Sequence, residues 1–276
     1  MNGFLRMPLI FLSASAFKKR GLGPHPESRV EKGCLRMAAQ AMTRAANLSM
    51  KALSVIAFLA CLLIPSTRAA DIAPPAGAFD LRGWKLQVPG PLEIKQLAGY
   101  SSGYFFLNGN REMVFHLDAA EKGPTPNTKY VRSELRHLLN WHVNEPHSLS
   151  AEVKAVSHLD PDKVTVLQIH GVMEDGGDAP PLLRIALNRG DLVAMIKPDN
   201  EGERTDSIPL KKGVGANWFK VEISVKNRQL QIAVDGQQKL THSLAYWKFP
   251  NYFKAGCYPQ ATQGTADIFF RRLSVK

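Results

Sequence analysis

Short apolar runs separated by turn signals dominate the second half of the chain. Leu182 to Leu187 and Leu192 to Ile196 flank Asn188-Arg189-Gly190-Asp191, and Phe219 to Val225 and Leu230 to Val234 flank Lys226-Asn227-Arg228-Gln229. Each pair reads as a β-hairpin, because the runs have strand length and the residues between them favour turns. Asp235-Gly236 adds a tight turn, and Ile268 to Val275 closes the chain as a strand. No long stretch carries a period of 3.6; Ser133 to Leu139 resembles a helix only in its Leu and Arg content. Many short strands in a single domain predict an all-β sandwich of two packed antiparallel sheets.

Period 2 also exposes three strands with unusual fronts. Tyr252 to Gln260 places Tyr252, Lys254, Gly256, Tyr258 and Gln260 on one face, and Phe253, Ala255 and Cys257 on the other. Arg132-Ser133-Glu134-Leu135-Arg136 puts Arg132, Glu134 and Arg136 in front, with Ser133 and Leu135 behind. Gln168 and His170 share a face at the end of the apolar run Val164 to Leu167. Long hydrogen-bonding groups on three strands predict one sheet whose open face binds a polar, anionic ligand. Gly256 is expected to let that ligand approach the backbone.

The segments R-S-E-L-R, Q-I-H and Y-F-K-A-G-C-Y-P-Q, in that order, resemble the three signature regions of polysaccharide lyase family 7, the alginate lyases. Trp84-Lys85-Leu86-Gln87-Val88-Pro89 and Gly99-Tyr100-Ser101-Ser102 are similar to earlier family segments, so the resemblance runs from Phe79 to Lys276. It implies a jelly-roll sandwich with a concave substrate groove. The sequence departs from the family at Val131, where proline is common, and at His137, where an acid is common. Cys257 and Pro259 are less usual within the last motif.

The resemblance also implies a chemistry, β-elimination of a 1,4-linked polyuronate. That reaction needs the uronate carboxylate neutralised, a base for the C5 proton and an acid for the departing C4 oxygen. By motif position the catalytic residues are Arg132, Gln168, His170 and Tyr258. Arg132 pairs with the carboxylate through its planar fork and Gln168 donates to it. If the cleaved sugar is mannuronate, proton and leaving group lie on one side and Tyr258 serves as both base and acid. If it is guluronate they lie on opposite sides, and His170 as base with Tyr258 as acid is the natural division. Arg136 and Lys254 are placed for neighbouring uronates, Tyr252 and Gln260 for further substrate contacts. Glu134 is expected in the substrate-binding set, orienting the flanking arginines. Ile169 between Gln168 and His170 accompanies activity on guluronate-containing blocks in the family. The alternatives are a lyase of another polyuronate, such as a glucuronan, and a non-catalytic carbohydrate-binding module.

The ends of the chain change how its charge is read. Met50-Lys51, the apolar run Ala52 to Ile64 and the small-residue exit Pro65 to Ala70 read as a signal peptide over residues 50–69. Residues 1–49 are expected to be a non-native upstream extension, and residues 70–276 the catalytic domain, secreted or periplasmic. The net charge of +11 belongs mostly to the leader: ten Lys+Arg and two Asp+Glu precede Ala70, leaving 25 and 22 after it. Basicity is therefore no argument for nucleic-acid binding. The expected partner is an anionic polysaccharide, alginate, met by a monomer with no membrane attachment after signal cleavage. Cys257 is the one cysteine after the leader, which excludes an internal disulfide there, and it falls on an apolar strand face as a core residue. The histidines after the leader, including His137, His142 and His147, form no metal-ligand motif, and no metal or cofactor is expected. Gly171 to Pro181 and Pro198 to Pro209 are rich in Gly, Pro and Asp and are expected to be loops beside the site.

Overall fold

A computed structural model describes residues 72–90, 92–121 and 129–276. The predicted signal peptide and upstream extension lie outside the described residues. After a 3-10 turn at Pro75–Gly77, the chain forms β1 (Trp84–Val88), β2 (Leu92–Ile94), β3 (Phe105–Leu107), β4 (Met113–Asp118), β5 (Ser133–His137), β6 (His147–Ser157), β7 (Lys163–Val172) and β8 (Asp178–Asn188). There follow β9 (Asp191–Ile196), β10 (Asp206–Lys211), β11 (Phe219–Lys226), β12 (Gln229–Val234), β13 (Gln237–Ser243), β14 (Asn251–Pro259) and β15 (Thr265–Val275).

The strands make two antiparallel sheets, as the alternation predicts. One runs β10-β9-β8-β7-β14-β5-β1-β2 and the other β13-β12-β11-β6-β15-β4-β3. Their inner faces supply one continuous core, with Phe105, Phe115, Phe219, Phe253 and Phe270 fully buried. The predicted hairpins β8–β9 and β11–β12 form with the expected pairings, Asn188 opposite Asp191 and Lys226 opposite Gln229. All three strands with polar fronts lie side by side in the first sheet, in the order β7-β14-β5. Non-local pairing thus brings residues 132–136, 168–170 and 252–258 onto one surface.

Two expectations are corrected. Gly171 to Pro181 is mostly strand: β7 continues through Val172, β8 begins at Asp178, and only the turn between them is free of pairing. Pro180 and Pro181 are tolerated because β9 joins β8 only from Leu183 onward, and because the β7–β8 register shifts around His170. An edge with interrupted pairing does not need the missing N–H groups. Pro198 to Pro209 is a loop only as far as Thr205; Asp206, Ser207, Ile208 and Pro209 belong to β10.

Gly256 has a different job from the one expected. It sits at a bulge of β14 with φ near +150°, and a Cβ there would lie 2.5 Å from Ser133 O and 3.1 Å from the Phe115 ring. The close approach is to the neighbouring strand and the core, away from any ligand. Gly256→Ala is therefore expected to cost about 3 kcal/mol or more, from a conformation reserved for glycine plus overpacking. Denaturant titration measures it; a loss below about 1 kcal/mol would mean that β5 shifts to relieve the clash.

Candidate active site

A cleft of about 700 Å³ opens on the concave face of the first sheet, over β7, β14 and β5. That volume lies within the range of clefts that hold a bound ligand. Arg132, Gln168, His170, Tyr252, Lys254 and Tyr258 all line it.

Beneath the cleft the Glu134 carboxylate is a hub. It is fully buried, as are Gln168 and Lys254 to within a few percent. Lys254 Nζ lies 2.5 Å from Glu134 Oε2, Arg132 Nη1 lies 3.5 Å from the same oxygen, and Gln168 Nε2 donates to Oε1. Lys254 also donates to Gln87 Oε1 at 3.0 Å. Burial alone would raise the Glu134 pKa, but the Lys254 and Arg132 charges outweigh it and hold the carboxyl below its ordinary value. Burial pulls the Lys254 ammonium down to about 8, against the support of Glu134. The pair is thus ionised at neutral pH, and each member depends on the other. Arg132 Nε is buried without a hydrogen-bond partner among the described residues. Such a group is costly until an acceptor meets it, and a carboxylate entering the cleft supplies one.

His170 and Tyr258 have opposite proton inventories. His170 Nδ1 lies 2.8 Å from Gly171 O. A carbonyl oxygen only accepts, so Nδ1 carries the hydrogen and Nε2 keeps its lone pair. Burial first, then the Lys254 charge, lowers the His170 pKa to about 4, so the ring is neutral at pH 7. The ring stacks on Tyr252 with centroids 5.3 Å apart, which fixes its plane. Tyr258 shows the reverse: burial raises its pKa against the pull of Arg132, and the phenol keeps its proton. The Arg132 guanidinium stacks 4.4 Å from the Tyr258 ring centroid, and the Arg136 guanidinium stands 4.0 Å from that of Tyr252.

The alginate lyase family profile matches residues 79–276. The chain belongs to this family, the alginate lyases. A curated alginate lyase of a Photobacterium species is 27% identical over 187 residues, covering 52% of this chain and 65% of its own length. One from Klebsiella pneumoniae is 37% identical over 90 residues, 29% of each. The chain thus spans less than two thirds of the curated relatives it matches. Among solved structures, alginate lyase A1-II', a member of polysaccharide lyase family 7, is 30% identical with a TM-score of 0.69, covering 74% of this chain and 98% of that one. A Pseudomonas aeruginosa alginate lyase at 24% identity shares the fold, with a TM-score of 0.64 over 71% of this chain and 99% of its own.

Within this member of the alginate lyase family, the predicted site residues divide into two groups. Arg132, Gln168, His170, Tyr258, Lys254 and Tyr252 meet in the cleft. Glu134, Arg136 and Gln260 do not line it. Glu134 is committed to its three partners below the floor. Arg136 lies over Tyr252, with Asn140 Oδ1 at 3.4 Å. Gln260 accepts from Thr165 Oγ1 at 2.9 Å and donates to Tyr258 O at 2.5 Å, so it braces the backbone that carries Tyr258. His137 packs edge-on against Trp84, with ring centroids 4.8 Å apart. Cys257 is buried, as its face predicts. Among the described residues no group of three or more His, Cys, Asp or Glu side chains is placed to hold a metal ion. Arg184, Gln87 and Lys129 also stand on the cleft wall, and two-residue alternation does not single them out. Arg184 left a signal, as the lone charge inside Leu182 to Leu187.

Proposed function

We propose that the chain cleaves alginate by β-elimination, accepts guluronate-containing blocks, and leaves an unsaturated uronate on one product. The observation that carries the reading is the meeting of carboxylate-neutralising donors, a neutral imidazole and a protonated phenol in one cleft. Arg132 and Gln168 take the substrate carboxylate, so that charge built up after C5 loses its proton has somewhere to go. His170 Nε2 accepts the C5 proton, and Tyr258 protonates the departing C4 oxygen. This division supports substrates whose proton and leaving group lie on opposite sides, since Tyr258 would first have to lose a tightly held proton to act as base. Solved relatives support it further. A1-II' has been captured with a substrate (GGMG) in a form carrying His-to-Asn and Tyr-to-Phe changes, and with a product (GGG) in a Tyr-to-Phe form. The Met50 to Ala69 segment supports export and action outside the cytoplasm, on a soluble or gelled polymer met by a monomer.

The test is the rise in ultraviolet absorbance from the unsaturated product, with guluronate-rich, mannuronate-rich and glucuronan substrates compared. Activity confined to polymannuronate would remove the guluronate assignment. Turnover of glucuronan alone would move the substrate class, and binding without any rise would mark a carbohydrate-binding module.

The titrations give a pH dependence. The acid limb of kcat/KM is expected near pH 4, where His170 gains its proton, and the alkaline limb near pH 8, where Lys254 loses its own. Bound uronates place negative charge beside His170, so the acid limb of kcat is expected above that of kcat/KM. Stability follows the same histidine. The unfolded chain takes up this proton near 6.5 and the folded chain near 4, so stability falls as pH drops from about 6.5 to about 4. Rate profiles and thermal scans over pH 3.5–9.5 check both; an acid limb of kcat/KM above 6 would place the base elsewhere.

A further inference from the structure

The proposed catalytic groups occupy the middle of a longer row. Across the concave sheet Arg184 of β8 pairs with Gln168 of β7, Gln168 with Lys254 of β14, Lys254 with Arg136 of β5, and Arg136 with Lys85 of β1. Residues paired across strands share a face, so five long polar side chains, four of them cationic, stand in a line perpendicular to the strands at intervals of about 4.8 Å. That interval is comparable with one pyranose ring and its bridging oxygen.

The cations on the β1 side of Gln168 are already engaged. Lys85 pairs with Glu93 at 2.7 Å, Arg136 lies over Tyr252, and Lys254 is bound to Glu134. Arg184 differs. It lines the cleft, and none of the ion pairs or side-chain hydrogen bonds among the described residues involves it. Nearby Lys197 spends its ammonium on Gly202 O at 2.5 Å and Thr205 Oγ1 at 2.7 Å, which ties down the loop after β9 and leaves Arg184 as the accessible donor on that wall. Burial lowers the Arg184 pKa, the mark of a charge held in poor solvent without full compensation. An anion seated on such a guanidinium relieves that cost.

We propose that Arg184 binds the carboxylate of the uronate next to the cleaved one, on the β8 side of the reacting sugar, and makes cleavage depend on a chain long enough to reach it. This rests on the reading of the cleft as a polyuronate site. One row position separates Arg184 from Gln168, which is the separation of adjacent sugars, and the guanidinium fork matches a carboxylate in two hydrogen bonds. The competing role is electrostatic help to the Tyr258 phenol, whose pKa the Arg184 charge lowers.

The experiment compares wild type, Arg184→Gln and Arg184→Lys on polymeric alginate and on a size series of its oligosaccharides. Binding is read separately by retardation in alginate-containing native gels. Arg184→Gln is expected to raise KM for the polymer roughly tenfold, the scale of one charge-assisted contact, with kcat within about threefold. Its gel retardation weakens and its rates become less sensitive to salt. The penalty is expected to vanish on the shortest oligosaccharide still cleaved, and Arg184→Lys to recover part of the loss. A fall in kcat at constant KM, with gel retardation unchanged, would overturn the proposal in favour of action on Tyr258. An equal penalty at every chain length would overturn it in favour of a structural role. If wild type binds alginate without cleaving it, the lyase reading fails, while the gel comparison still tests Arg184. Should Arg184→Gln not fold, Arg184→Lys carries the test alone, since it keeps the charge and loses the fork.

Discussion

Tyr258→Phe is expected to lower kcat on alginate about a thousandfold while leaving KM within about threefold, the range of lost general acid catalysis. The reason is the leaving group. A sugar alkoxide departs poorly, and the phenol, which burial keeps protonated and neutral, is the proton source. The fold has little stake in that hydroxyl, because none of the hydrogen bonds among the described residues uses it. Phe keeps the ring on which the Arg132 guanidinium stacks at 4.4 Å. Stopped assays of product absorbance, with thermal unfolding as control, separate the two contributions. Residual kcat above about a tenth of wild type would assign the proton donor to another group.

Glu134→Gln is the substitution expected to damage fold and activity together. It removes the one negative charge among the described residues that pairs with Lys254 and Arg132, in a site shut off from water. Breaking a buried pair from one side costs about 3–5 kcal/mol, because the surviving charge stays buried. Lys254 is expected to relieve part of that by losing its proton below neutral pH, which also removes a cation from the cleft. For a domain of this size the loss corresponds to a fall in Tm of roughly 6–20 °C. The double change Glu134→Gln with Lys254→Met is expected to recover much of the stability and none of the activity. Calorimetry of wild type and the two variants decides; Glu134→Gln as stable as wild type would show that water or a counter-ion already reaches the carboxylate.

The fold is legible in the sequence where local pattern and tertiary position coincide. Hairpins β8–β9 and β11–β12 are specified by a few adjacent residues, and alternation on β14 correctly separates Tyr258 and Lys254 from Phe253 and Cys257. Alternation fails where geometry departs from a regular strand. At the β14 bulge it places Gly256 in front, whereas its missing side chain faces Ser133 O. Past the end of β14 it assigns Gln260 to the ligand, whereas the amide turns to Thr165. Proline content alone points to a loop at Gly171 to Pro181 and fails there, because permission for proline in a strand depends on whether a neighbour needs the N–H, and that neighbour is distant in sequence. Arg184 escapes the pattern for a related reason. No polar companion stands at i±2 on its own strand, and its companion is Gln168 across the pairing. A two-residue period sees along strands; the site is organised across them.

The bracing of Tyr258 by Gln260 divides the labour on β14 in a way that bears on how this cleft can change over generations. Gln260 holds the main chain on which the phenol rides, and it touches Thr165 rather than the cleft wall. Variation in the side chains along the wall can therefore retune which polymers fit without disturbing the aim of the proton donor. The reverse does not hold: an innocuous-looking exchange of Thr165, buried in β7 and paired across the strands with Tyr258, would loosen the phenol through the main chain that Gln260 holds.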